Sequence, residues 1–365
     1  MSGQRVGVGV IGAGMISSYY LQNLVQFPDL HVVAIADLGL SRAAAAAQTF
    51  GARAMTVDEL LSADDIEIVL NLTIPAAHYD VSLRILNGGK HVWTEKPIAL
   101  TREKAAALNA HAASLGLRVA CAPDTFLGGA LQTPQREIAA GRIGTVHSAL
   151  GIVQSPGPER AHPKPAFFYA PGGGPVLDMG PYYITAMVQV LGAATSVVAT
   201  GSAPHATRRV RVGDAAGTEF PVSVATQNAA LITFASGATA TLITSYDSGV
   251  RRDQLEFYGS KATLQVPDPN HFDGDSRLTP SFDEPVTVPT RGSVWGRGVG
   301  VVDLARSIRA GTPERASGRL AEHVLDALLA IQEATESGAR IMMTTTADRP
   351  EALPEAWDPT AATLG

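Results

Sequence analysis

Cysteine is nearly absent: Cys121 is the only one in 365 residues. A single thiol excludes an intramolecular disulfide and a thiolate metal cluster, and a reducing cytoplasm is its natural home. Charge is sparse too, at 17% of residues, with 34 acidic against 28 basic side chains and a net charge of −6. No basic run offsets that balance, which argues against nucleic acid or an anionic membrane as the main partner. Apolar residues reach 45%, yet no run approaches the roughly 20 that span a bilayer. The N-terminus enters a strand-like run with no cleavable signal pattern, and no segment recurs at a fixed period. Among nine histidines there is no His-Glu-x-x-His or comparable array, so no catalytic metal is expected. The length predicts two domains, because single cores stop growing below it.

What the sequence does contain begins at its start. Gly7-Val8-Gly9-Val10-Ile11 is an apolar run, and Gly12-Ala13-Gly14-Met15-Ile16-Ser17 follows, opening a helical pattern through Tyr20, Leu21, Leu24 and Val25. This reads as strand, glycine turn, helix. In a dinucleotide-binding turn the first glycine permits the bend and the second lets the backbone approach the pyrophosphate, while the third allows close helix packing. Gly12, Gly14, Met15 and Ile16 are therefore the expected cofactor contacts, with Ser17 standing in the third glycine position. A second strand, His31 to Ala36, ends in Asp37, about 20 residues on, where an acid meets the ribose hydroxyls. A carboxylate there repels a 2′-phosphate and points to NAD over NADP, a preference tempered by Ser41 and Arg42 nearby. A helix-capping role for Asp37 is the alternative.

Helical periodicity at Ser41–Phe50 and Val57–Leu61 leads to a strand at Ile66–Leu70. Pro75 then suits the first turn of a helix to Leu86, stopped by Gly88-Gly89. A strand at Lys90–Thr94, a helix at Thr101–Leu115 and a strand at Leu117–Cys121 complete the alternation, which implies a parallel, doubly wound sheet. Beyond a switch near Ala122–Asp124 come a helix at about Gly129–Ala140, a strand at Val146–Val153 and a helix to Leu191. Strands follow at Ser196–Gly201, Pro221–Ala225, Ala229–Phe234, Ala238–Ser245, Leu255–Gly259 and Ala262–Val266, and helices at Gly298–Ile308 and Leu320–Ser337 close the pattern. The fold class is α/β: an N-terminal Rossmann sheet plus an α+β domain with a large, mostly antiparallel, open-faced sheet. The expected division is residues 1–123, 124–345 and a tail at 346–365.

Two stretches carry candidate chemistry. In His91-Val92-Trp93-Thr94-Glu95-Lys96-Pro97 a lysine sits between a carboxylate and a proline just after a strand. A buried amine near a cofactor can exchange a proton with a hydroxyl, so Lys96 is the first catalytic candidate, against the alternative of an exposed strand-end lysine. The second stretch is Gly157–Gly174, rich in Pro and Gly, with Arg160, His162, Lys164 and the aromatics Phe167-Phe168-Tyr169. It leads into Asp178-Met179-Gly180-Pro181-Tyr182. Asp178 and Tyr182 lie four residues apart and share one face of a helix, if Pro181 permits it. His162 is a further catalytic candidate in a loop suited to a polar pocket, or else a solvent-exposed histidine. His323 reads as helix packing.

Gly12-Ala13-Gly14 with Asp37, then Glu95-Lys96-Pro97, then Gly172-Gly173-Gly174 leading to Asp178 and Tyr182, together resemble the Gfo/Idh/MocA oxidoreductases over nearly the whole chain. The resemblance implies NAD(P)-dependent oxidation of sugars, inositols and related polyols, with substrate between the two domains and oligomerisation, as a dimer or tetramer, through the open sheet. Many members carry His where this chain has Tyr182, and often Asp where it has Thr185; the glucose-fructose oxidoreductase and dihydrodiol dehydrogenase branches resemble it in using Tyr. It further implies that Thr73 and His78, in a strand-end loop, approach the cofactor, the alternative for His78 being a helix-surface histidine, and that Glu95 lies by the nicotinamide ribose or holds its loop, the alternative being a surface acid. Oxidising a secondary alcohol needs a hydride acceptor on one side of the carbon and a base for the hydroxyl proton on the other. Lys96 and Tyr182 are the expected proton-handling pair, and Asp178 accepts hydrogen bonds from other hydroxyls or orients Lys96; the alternatives are a buried aromatic with a satisfied hydroxyl for Tyr182 and a helix N-terminal acid complementing the dipole for Asp178. Two other classes stay open: an NAD-dependent glycosidase working by transient oxidation, elimination and re-reduction, and a non-catalytic dinucleotide sensor.

Overall fold

The apolar run at the start of the chain forms β1 (Val6–Ile11), and all six of its residues are buried, as expected of a strand covered on both faces. The computed structural model describes residues 5–364. After β1 come α1 (Met15–Leu24), β2 (Leu30–Ala36), α2 (Leu40–Phe50), β3 (Arg53–Ala54), α3 (Val57–Ser62), β4 (Ile68–Asn71), α4 (His78–Asn87), β5 (His91–Thr94), α5 (Arg102–Ser114) and β6 (Val119–Cys121). These strands pair in parallel, in the order β3-β2-β1-β4-β5-β6. The order reverses between β1 and β4, the place where open α/β sheets leave a crevice at their carboxyl ends. Ile11 pairs with Ala36 on one side and Asn71 on the other, and Asn71 pairs with Thr94. That register brings Gly12, Asp37, Leu72 and Glu95 out of the sheet at one level.

The chain continues through α6 (Gly129–Ala139), β7 (Val146–Gln154), α7 (Gly174–Leu191), β8 (Ala194–Ser202), β9 (Thr207–Arg209), β10 (Glu219–Pro221), β11 (Gln227–Phe234), β12 (Thr239–Ser245), β13 (Arg252–Gly259), β14 (Ala262–Val266), β15 (Ser276–Pro280), β16 (Val286–Val288), α8 (Val299–Ala310), α9 (Gly318–Ser337) and β17 (Ile341–Met342). Nine of these strands form one sheet in the order β16-β15-β14-β13-β7-β12-β11-β8-β17. Only the central β7/β12 pair is parallel. Helix α7 packs on β7, β11 and β12, and β11 alternates exposed and buried residues along its length, so one face of this sheet is covered and the other open. The separate pair β9/β10 is a short antiparallel ribbon.

Two expectations change in detail. The strand expected at 221–225 lies at Glu219–Pro221 and pairs with β9, since Pro221 ends a ladder to which it cannot donate. The helix expected from Pro75 begins with a 3₁₀ turn at Pro75–Ala77 before α4. The chain forms two compact units: one runs to residue 132 and takes in 291–322 and 350 onward, and the other holds 133–290 and 323–349. A sequential division at 123 and 345 follows the element order; the contacts instead return two later segments to the first unit. One of them ends against β2, where Asp29 accepts hydrogen bonds from Thr363 N (2.8 Å), Thr363 Oγ1 (2.7 Å), Leu364 N (2.9 Å) and Arg306 Nε (2.8 Å).

Candidate active site

In the first unit the glycine turn is built for close approach. Gly12 has φ +107°, and a Cβ there would stand 2.6 Å from the Leu72 carbonyl oxygen, so only glycine fits. Gly14 is exposed, and a Cβ built on it meets nothing within 4 Å. The space over Gly14, at the start of α1, is a cradle that a phosphate can enter. Ser17, in the third glycine position, is buried and turns its hydroxyl back onto Gly14 O at 2.6 Å. Met15 is exposed and Ile16 half-buried.

Asp37 is tied to this turn. Its Oδ2 accepts from Ala13 N at 2.8 Å and its Oδ1 from Gly39 N at 2.7 Å, and Arg42 Nη2 lies 2.5 Å from Oδ1. Burial pushes its pKa up, but these two amides and the guanidinium outweigh that and hold it below the ordinary carboxylate range. The carboxylate is therefore ionised at neutral pH just past the end of β2, beside the glycine turn.

The loop after β5 is pinned at three points. Glu95 N donates to Asn71 O at 3.0 Å. Glu95 Oε1 accepts from Tyr20 OH at 2.8 Å, Tyr20 OH accepts from Trp93 Nε1 at 3.2 Å, and Glu95 Oε2 receives Lys96 N at 3.1 Å. Glu95 is thus a buried strut rather than a surface acid. The third tie is His78, also buried, with Nδ1 2.7 Å from Pro97 O and Nε2 3.1 Å from Thr73 O. Burial foremost lowers the His78 pKa, against the two carbonyl oxygens its ring nitrogens face, which raise it. Asn71 Oδ1 in turn accepts from Thr73 Oγ1 at 2.6 Å. Thr73, His78, Glu95 and Lys96 therefore form one connected group whose backbone holds half-buried Lys96 at the strand end. Cys121 lies buried behind it, its thiol pushed well up by burial, and is no nucleophile.

Sequence reasoning passed over Asp124 in this unit. It is fully buried, accepts from Gly298 N (2.8 Å) and Gly300 N (3.2 Å), and is pushed up to about 6 by burial against the opposing pull of Arg297 and those amides. Its partners lie 174 and 176 residues away, a separation no local pattern encodes.

In the second unit α7 runs unbroken through Pro181, so Asp178 and Tyr182 do share a helical face. Asp178 is half-buried and Tyr182 buried. Tyr246, just past β12, donates its hydroxyl to Asp178 Oδ2 at 2.7 Å. His162 stands apart from that pair in the Pro-rich segment: its Nδ1 accepts from Lys164 N at 3.1 Å, and its ring lies 5.3 and 5.5 Å from Phe167 and Phe168. Tyr169 leaves that aromatic group for the core, while Phe167 is half exposed. His323 packs inside, receiving Ala194 N at 2.9 Å. Tyr246, Arg208, Glu159 and Asp247 went unrecognised in the sequence, because they meet only through distant elements. No group of three or more His, Cys, Asp or Glu among the described residues is arranged to hold a metal ion.

A glycine cradle at the switch point of a parallel sheet, with an ionised acid at the end of its second strand, defines a dinucleotide-binding Rossmann protein. Residues 6–122 match the family described as "Oxidoreductase family, NAD-binding Rossmann fold", and residues 131–265 match the "GFO/IDH/MocA C-terminal domain". The chain belongs to the Gfo/Idh/MocA oxidoreductase family. Inositol 2-dehydrogenase of Salmonella typhimurium (strain LT2) is 35% identical over 97 residues, 26% of this chain and 29% of that enzyme. The match thus spans less than a third of that relative's length. D-glucoside 3-dehydrogenase of Escherichia coli (strain K12) is 31% identical over 205 residues, 53% of this chain and 56% of that protein. A solved levoglucosan dehydrogenase, in complex with NADH and levoglucosan, superposes with a TM-score of 0.80 over 93% of this chain and 99% of that one. At 20% identity the property shared with it is the fold.

Proposed function

We propose that this protein is an NAD-dependent dehydrogenase that oxidises a secondary hydroxyl of a sugar, sugar derivative, glycoside or cyclic polyol. The observation that carries the reading is the cradle over Gly14 with ionised Asp37 tied to its turn. The cradle fits a dinucleotide: Gly12 and Gly14 would take the pyrophosphate and Asp37 the adenosine ribose. Asp37 favours NAD over NADP, because a 2′-phosphate would meet a carboxylate there. Bound nicotinamide supplies the hydride acceptor. The remaining work falls to this chain's own side chains. Lys96, on its pinned loop, and Tyr182 handle the hydroxyl proton, and Asp178 accepts hydrogen bonds from neighbouring substrate hydroxyls. Met15 and Ile16 would border the cofactor, with Thr73, His78 and Glu95 holding the loops beside it. His162 would extend the substrate contacts through the Phe167/Phe168 segment. The names of the inositol and glucoside dehydrogenases support the substrate class, as does the neighbour that binds NADH and levoglucosan.

We further propose a dimer or tetramer joined through the open face of the second unit's sheet. In register across that face, Leu231 opposes Thr241 and Thr241 opposes Leu150; beside them Ala229, Ile243 and Ile152 form a second row. Leu231 is 60% exposed, and such a row suits a second copy of the same sheet.

The test is absorbance at 340 nm with NAD or NADP and a panel of free sugars, inositols and aryl glycosides, with aglycone release followed in the same samples. NADH growing with substrate consumption, faster with NAD than NADP, is the expected result. Aglycone release without net NADH would overturn the dehydrogenase in favour of a redox glycosidase. No turnover across the panel, with NAD still bound, would favour a dinucleotide sensor.

A further inference from the structure

Asp178 is held by a partner that itself belongs to a buried polar cluster. Tyr246 is fixed on every side. Its amide donates to Thr226 O at 2.8 Å, its carbonyl accepts from Arg208 Nη2 at 3.0 Å, and its ring lies 5.6 Å from that of Tyr169 in a core with Val210 and Phe220. Arg208, on β9, grips two carboxylates: Nη1 donates to Glu159 Oε1 at 2.8 Å and Nη2 to Asp247 Oδ1. Glu159 Oε2 accepts the Tyr169 hydroxyl, and Asp247 Oδ2 accepts Thr226 Oγ1 at 2.5 Å. Gly157 opens the segment with φ +101°, and a Cβ there would stand 2.3 Å from Glu159 Oε2. The Pro- and Gly-rich segment, the β9/β10 ribbon and the end of β12 are thereby locked together.

A buried ion cluster of this kind is a weak source of stability, because desolvating its charges offsets most of their attraction. What it delivers is a phenol of fixed direction aimed at Asp178. We propose that Tyr246 is a positioning residue: its hydroxyl, set by the Arg208–Glu159–Asp247 cluster, fixes the Asp178 carboxylate in the orientation that receives the substrate's hydroxyl groups. Burial raises the Tyr246 pKa well above its ordinary value, so the group stays a donor at any working pH. A half-buried carboxylate still has several rotamers open to it, and a strong, fixed donor favours one of them before substrate arrives.

This inference rests on the reading that Asp178 binds substrate. The test compares Tyr246→Phe, Asp178→Asn and the double variant for kcat, KM, NAD affinity and thermal midpoint, using the substrate found in the panel. Phenylalanine keeps the ring packing, and Tyr246→His, which retains a donor, guards against a Phe variant that fails to fold. Tyr246→Phe is expected to lower kcat/KM by roughly 10- to 100-fold, the scale of a misplaced contact, with NAD affinity unchanged and partial recovery in Tyr246→His. In the Asp178→Asn background the same change should cost less than about twofold, because coupled residues are non-additive. Equal costs in both backgrounds would make Tyr246 merely structural and overturn the proposal. So would wild-type kinetics in Tyr246→Phe beside a crippled Asp178→Asn. Near-normal turnover in Asp178→Asn itself is a different signature, and would remove the reading of Asp178 on which the inference stands.

Discussion

At the scale of single residues, Lys96 is the sharpest test. Its backbone is fixed by Glu95 Oε2 at one end of the dipeptide and by the His78–Pro97 contact at the other, so truncating its side chain leaves the loop standing. Lys96→Ala should therefore lower kcat by about 10²- to 10⁴-fold, the usual contribution of a positioned acid or base. NAD affinity, read by quenching of protein fluorescence, should change little. Near-normal turnover would take Lys96 out of the chemistry. The lysine, the glycines and Asp37 were legible because each sits at a strand end within a local pattern. Tyr246 was not: its target lies 68 residues away, and nothing local to Ser245-Tyr246-Asp247 distinguishes it from any polar strand terminus. The Glu95 strut was half legible, since Tyr20 reads only as a helix apolar residue until the fold brings it to the β5 loop.

At the scale of elements, β5 begins with a histidine whose environment gives a pH dependence. His91 Nδ1 accepts from Arg118 N at 3.0 Å, and burial, then nearby Arg118, lowers its pKa from 6.5 to about 4. As pH falls, the unfolded chain takes up this proton first. The contribution to stability is therefore complete above about 6.5 and is lost progressively down to about 4. Buried His78 acts with the same sign, whereas Asp124, raised from 3.8 to about 6, acts with the opposite one. The thermal midpoint should fall between pH 6.5 and 4, and His91→Asn, which keeps an acceptor for Arg118 N and does not titrate, should make that fall shallower. An unchanged slope would contradict the assignment. Elements with strong periodicity were readable, the alternating first sheet above all. The strands at 53–54, 207–209, 276–280, 286–288 and 341–342 were not: four of the five span only two or three residues, and all five lie among polar or turn-forming neighbours, where pairing partners define them instead.

At the scale of the whole molecule, the open sheet face of the second unit makes a mass prediction. A charge at Leu231, in the middle of the exposed row, should disfavour a sheet-to-sheet contact: Leu231→Asp is expected to shift sedimentation from dimer or tetramer toward monomer, and to remove the dependence of the thermal midpoint on protein concentration. A wild-type chain that sediments as a monomer would refute the proposed assembly. No helix among the described residues is long and apolar enough to cross a membrane.

The course of the chain through the first unit bears on how the protein is made. Asp29, at the threshold of β2, is satisfied by Arg306, Thr363 and Leu364, and β6 takes a bridge from Ser317 at Ala120. A ribosome therefore emits the sheet of the first unit well before the residues that complete it, the partners of Asp29 following 277 to 335 residues later. Of the two units, the one that starts earlier along the chain is completed by segments that follow most of the other. Until then its buried acid and the edge of its last strand wait for their partners, a window in which a nascent-chain chaperone has something to hold.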